Sequence, residues 1–75
     1  MVGRLPTVRV RDLIRALAKE GWYVDHTSRH TILRHPDRPG SVPVPNHPSD
    51  EVARGTLRSI LQATGVSPER LRDLL

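Results

Sequence analysis

The chain has 75 residues, 12 basic against 8 acidic side chains, a formal net charge of +4 and a sequence pI near 11.1. It has no cysteine, no phenylalanine, one tryptophan and one tyrosine. This excludes a disulfide staple and a thiolate metal site, leaves room for one domain, and points to a core of Leu, Ile and Val.

Residues 1–7 read as a flexible arm, with Pro6 blocking an earlier helix. Val10, Leu13, Ile14, Leu17 and Ala18 recur at helical spacing and predict a helix over 9–20. Thr7 is its nearest cap, Gly21 its stop. Arg11, Arg15 and Lys19 line its outer face. Trp22 to His26 predict a first strand, Thr27-Ser28-Arg29 a turn, and His30 to Arg34 a second strand. Pro36 to Gly40 read as a loop. Ser41 to Pro45 predict a third strand. Pro43 and Pro45 lack donors on one side of it, so it must be an edge, with Val42 and Val44 left to pair with strand two.

A second helix is predicted over 50–64, capped by Ser49 or Asp50, with Ala53, Leu57, Ile60, Leu61 and Thr64 inward. Gly55 would lie inside it, where a glycine offers room for another backbone to approach closely. Ser67-Pro68 opens a last helix over 68–75. The order α-β-β-β-α-α predicts an α+β domain: a three-stranded antiparallel sheet with helices on one face. Double-stranded-RNA-binding domains share this order. No apolar run approaches the roughly 20 residues that span a bilayer, and no signal peptide is visible, so a cytoplasmic location is expected.

Eleven of the 12 basic residues are arginine, whose planar fork suits phosphate. A polyanion such as nucleic acid is one reading; ordinary solvated helix faces are the other. Four histidines are the side chains that titrate near neutrality. His30 could act on a ribose 2′-OH or a leaving 5′-oxygen. If Leu33 points into the core, His30 and Arg34 share the open face; if Ile32 does, His30 points inward. A structural strand histidine is the plain alternative. His26, His30 and His35 fit no standard metal spacing, and His26 and His35 read as exposed strand ends.

Gly21-Trp22, Ser28-Arg29-His30, His35-Pro36, Val42-Pro43-Val44-Pro45 and Gly55-Thr56-Leu57-Arg58-Ser59-Ile60-Leu61 together resemble the HicA toxins of bacterial toxin-antitoxin pairs. The resemblance covers residues 7–75. It implies a double-stranded-RNA-binding-like fold, an mRNA endoribonuclease inhibited by a HicB antitoxin, and metal-free cleavage without a cofactor. It implies catalysis by His30, the last residue of the family's Gly-Ser-His-His-like motif, where Thr27 and Arg29 here replace the glycine and the first histidine. Ser28, Arg29, Arg34 and Arg58 are the expected RNA contacts; neither a membrane nor a small-molecule ligand is expected. A non-catalytic RNA-binding module is the alternative. The acidic Ser49-Asp50-Glu51, placed at the start of the second helix, speaks against duplex binding, because duplex readers carry lysines there. A regulatory protein without RNA contact is a third reading.

Overall fold

The computed structural model describes residues 4–75. In chain order the elements are α1 (Val10–Ala18), β1 (Tyr23–Thr27), β2 (Thr31–His35), β3 (Arg38–Val44), α2 (Arg54–Thr64) and α3 (Pro68–Leu74). The strands form one antiparallel sheet in the order β1-β2-β3. The α+β class and the α-β-β-β-α-α order agree with the sequence reading.

The core lies between the sheet and the helices. Leu33, Val42 and Val44 project from the sheet to meet Leu13, Leu17, Leu57 and Leu71, all buried. The β2 pattern, buried at Thr31 and Leu33 and exposed at Arg34, settles which of the adjacent Ile32 and Leu33 faces inward. On α1 the inward stripe is Val10, Leu13, Ala16 and Leu17; Ala18, expected inside, is exposed. β3 is an edge strand. Val42 and Val44 pair opposite Leu33 and Thr31, as the prolines demand.

The starts of the first two helices differ from expectation, for the same reason. α1 has Arg9 at its N-cap with no side-chain cap bond. Its first N–H groups donate instead to distant carbonyls: Val10 N–H to Asp50 O at 2.9 Å and Arg11 N–H to Pro48 O at 3.0 Å. Val52 N–H donates back to Val8 O at 2.9 Å, and Arg9 bridges Glu51. Residues 50–52 are therefore engaged outside any helix, with Glu51 in the bridge to Arg9, and Val8 and Val52 are both buried. The second helix cannot begin at Asp50. It begins at Arg54, with Ala53 as an N-cap without a side-chain bond, and Ala53 is exposed. Gly55 is thus the second helical residue and faces open space, with no backbone approaching it. Of the arm predicted over 1–7, residues 1–3 lie outside the described residues; Leu5 packs against the core.

The stretch read as a loop over 36–40 is a two-residue turn, Pro36-Asp37, followed by the start of β3. His35 pairs with Arg38 and Leu33 with Val42, so residues 39–41 lie opposite Arg34 alone. Gly40, at φ +82°, supplies the left-handed conformation this bulge needs. His35 is half-buried, not an exposed strand end. Its Nε2–H donates to Glu20 O at 2.9 Å, its Nδ1 accepts from Asp37 N–H at 3.0 Å, and its ring meets Trp22 edge-on at 5.2 Å.

The helix ends are tied together. Gly65, at φ +74°, caps α2 through Leu61 O, and Arg38 donates to Thr64 O. Ser67 Oγ accepts from Arg70 N–H at 3.0 Å, and Pro68 opens α3. Arg70 holds Glu20 by two bonds, of 2.9 and 3.2 Å, and Lys19 Nζ donates to Leu74 O at 2.7 Å. Among the described residues no helix is long and apolar enough to cross a membrane.

Candidate active site

The β1–β2 connection is a bend over Ser28-Arg29-His30, closed by the Thr27–Thr31 pair and by Ser28 N–H donating to His30 O at 3.0 Å. His30 therefore precedes β2, which starts at Thr31, one residue later than the sequence reading placed it. It is exposed, and no hydrogen bond or ion pair engages its ring among the described residues. It overlooks a cleft of about 580 Å³ whose walls are Val42, Pro43 and Pro45 at the β3 edge and Thr56, Ser59, Ile60 and Ala63 on α2.

The helical period explains this wall. Thr56, Ser59, Ile60 and Ala63 fall within one narrow stripe of α2, because residues three, four and seven apart lie nearly above one another. The floor is apolar, and Thr56 and Ser59 add two hydroxyls. Sequence reasoning did not assign these hydroxyls to a site, although they sit inside the Gly55-to-Leu61 segment that carried the resemblance.

The expected site residues do not all gather at His30. Ser28 and Arg29 share its bend and are exposed. Arg34 alternates with the buried Leu33 and so lies on the opposite face of the sheet from α2. The expected pairing of His30 with Arg34 on one face is not formed. Arg34 Nε instead meets Asp25 Oδ2 at 3.5 Å, across a bulge in β1. The same oxygen accepts from His26 Nδ1 at 2.8 Å. That His26 hydrogen bond, ahead of the Arg34 charge, holds the Asp25 carboxyl below the usual carboxylate range against a smaller desolvation effect.

Arg58 projects from the far side of α2, roughly 160–200° round the helix from Thr56. It lines a separate hollow of about 310 Å³ with Arg4, Arg54, Leu61 and Pro68. The α1 stripe is partly engaged within the molecule: Arg15 approaches Asp12 at 3.8 Å, and Lys19 is tied to α3. His26 is turned to Asp25 and His35 to Glu20. Among the described residues, no group of three His, Asp or Glu is placed to hold a metal ion.

Residues 10–66 match the family model described as the HicA toxin of bacterial toxin-antitoxin. The chain belongs to the HicA toxin family. The match runs from the first residue of α1 through the His30 bend and the Thr56–Ser59 wall to the residue after Gly65. It takes in the whole sheet and the HicA cleft, and leaves α3 outside. No curated protein and no solved structure matches the chain.

Proposed function

We propose that the chain is a single-domain endoribonuclease toxin that cuts mRNA in the cytoplasm, with His30 as general acid or base, and that a HicB-type antitoxin binds it and covers the cleft. The observation that carries this is the placement of His30: an exposed imidazole with no partner among the described residues, lining a cleft walled by Thr56 and Ser59. An imidazole titrates near neutral pH and can take the proton of a ribose 2′-OH or supply one to the departing 5′-oxygen.

In the metal-free route the 2′-oxygen attacks the adjacent phosphorus, and the bond to the 5′-oxygen breaks. A 2′,3′-cyclic phosphate and a 5′-hydroxyl result. Negative charge builds on the non-bridging oxygens, where Arg29 and the Ser28, Thr56 and Ser59 hydroxyls donate hydrogen bonds. The apolar floor of Val42, Pro43 and Ile60 gives a base or sugar a surface to lie on. Arg34 and Arg58, each away from the cleft, contact the RNA backbone further along.

The test is cleavage of RNA by purified protein in EDTA, with His30→Ala alongside and both checked for fold by circular dichroism. Removing a positioned acid-base group costs roughly 10²–10⁴-fold in rate. A folded, inactive His30→Ala that still binds antitoxin is the expected result. Equal cutting by both proteins would sink the assignment of His30.

One observation favours the alternative, a non-catalytic RNA-binding module. The acidic Ser49-Asp50-Glu51 is not the start of α2; the helix starts at Arg54, with Arg58 one turn on. The acidic-start argument against duplex binding therefore falls. RNA binding without cutting by either protein is the outcome that reading requires.

A further inference from the structure

We propose that Asn46 is a positioning residue, whose side-chain amide holds the bend that presents His30 to the cleft. This rests on the reading of His30 given above. Thr31 Oγ1 donates to Asn46 Oδ1 at 3.0 Å, and Asn46 Nδ2 donates to Ser28 O at 3.0 Å. Ser28 and Thr31 are the residues on either side of Arg29-His30. One planar amide thus ties both ends of the bend to the segment following β3.

The chemistry asks for asparagine. The Ser28 carbonyl can only accept, so the amide nitrogen must face it, which leaves the amide oxygen for the Thr31 hydroxyl. An aspartate cannot donate to Ser28 O. Alanine makes neither bond, and glutamine is a methylene too long for the same approach. Thr31 is buried, at 7 % exposure, so water does not readily replace its bond. Pro45 restrains the chain just before Asn46 and lines the same cleft as His30. Asn46 therefore fixes the bend relative to one wall of the site. Few other contacts do this, because the bend is exposed and its own backbone contributes one bond, Ser28 N–H to His30 O.

A loosened bend leaves the imidazole in place chemically but spreads it over many orientations. A misplacement of about 1 Å can cost on the order of 100-fold in rate. The experiment compares wild type, His30→Ala, Asn46→Ala, Thr31→Val and the His30→Ala/Asn46→Ala double variant. It reads kcat and KM on one RNA, thermal stability, and hydrogen exchange at the Ser28 amide.

Asn46→Ala is expected to lower kcat roughly 10–100-fold with KM changed by no more than about three-fold, and to stay folded at the assay temperature. Thr31→Val, which removes one bond of the two, falls between it and wild type. The double variant is no slower than His30→Ala, since Asn46 acts through that residue. Ser28 exchange quickens in Asn46→Ala and not in His30→Ala. Wild-type kcat in Asn46→Ala beside an inactive His30→Ala overturns this proposal alone. So does a double variant clearly slower than His30→Ala, or a kcat loss no larger than the fraction unfolded. Full activity of His30→Ala overturns the reading beneath it, and needs no Asn46 variant to be seen.

Discussion

Gly21 and Gly40 both have positive φ, at +96° and +82°, yet their surroundings differ. A Cβ built on Gly21 would lie 2.6 Å from His35 Nε2, the atom that donates to Glu20 O. A Cβ on Gly40 meets nothing within 4 Å. Gly40→Ala therefore carries the left-handed backbone cost alone, about 1 kcal/mol. Gly21→Ala adds a displaced imidazole, with the loss of its bond to Glu20 and its seat on Trp22, and should cost about 3 kcal/mol. Urea melts of the two variants check this; equal losses would mean that His35 swings aside freely. The sequence showed Gly21 as a helix stop. It gave no sign that His35 would stand beside it, since that meeting joins the turn after α1 to β2, which only the folded sheet brings together. The same limit applied to His30, whose free ring and α2 wall follow from a bend placed one residue later than its composition suggested.

Periodicity read α1, α2 and α3 and the edge position of β3 from local signals: apolar spacing, Gly stops, and prolines that cannot donate. It failed where a long-range contact overrode a local one. Ser49-Asp50 looks like a cap, but the backbone there serves Val8, Val10 and Arg11, so α2 starts later. The adjacent pair Ile32-Leu33 was undecidable by alternation, and burial decides it. Leu33→Ala, at a fully buried position in the central strand, should cost about 3 kcal/mol, while Ile32→Ala on the outer face should cost about 1 kcal/mol or less. Comparable losses in chemical denaturation would contradict the inward assignment. The tie between α1 and α3 has a pH signature. The Arg70 hydrogen bond, supported by its charge, holds the Glu20 carboxyl below its ordinary value. A lowered folded pKa adds stability that is complete above the ordinary glutamate value of about 4.3 and is lost as pH falls through the lowered one. Below about pH 4, amide exchange in α3 should quicken in wild type, and Glu20→Gln should already show fast exchange at neutral pH and little further acid response. A wild-type profile in Glu20→Gln would show that the Leu71 and Leu74 packing and the Lys19 tie hold the helix without the Glu20–Arg70 pair.

Among the described residues the basic side chains differ in what they meet: Arg9, Lys19, Arg38 and Arg72 donate to backbone carbonyls. Arg70, Arg34 and Arg15 each meet a carboxylate, at 2.9, 3.5 and 3.8 Å. Arg29 on the His30 bend, and Arg54 and Arg58 on the far side of α2, meet none among the described residues. Arg29 near the cleft and Arg54 and Arg58 behind its helical wall are therefore among the side chains that contribute uncompensated positive charge to the net +4 of the chain. Unpaired guanidinium groups bind phosphate by displacing counterions, so their contribution can be read from salt. For single-stranded nucleic acid, each neutralised phosphate contributes roughly 0.7 to the slope of log affinity against log salt. Arg29→Ala and Arg58→Ala should each lower that slope by about 0.7 for a bound, uncut RNA measured in the His30→Ala background. Arg70→Ala should leave the slope unchanged, since Glu20 already holds that side chain. In otherwise wild-type protein, the proposed role of Arg29 at the reacting phosphate predicts that Arg29→Ala also slows cleavage with RNA saturating, whereas Arg58→Ala should weaken binding and leave the saturated rate near wild type. An Arg58→Ala variant with an unchanged salt slope would remove the far side of α2 from the RNA path and confine the contact to the bend and its cleft.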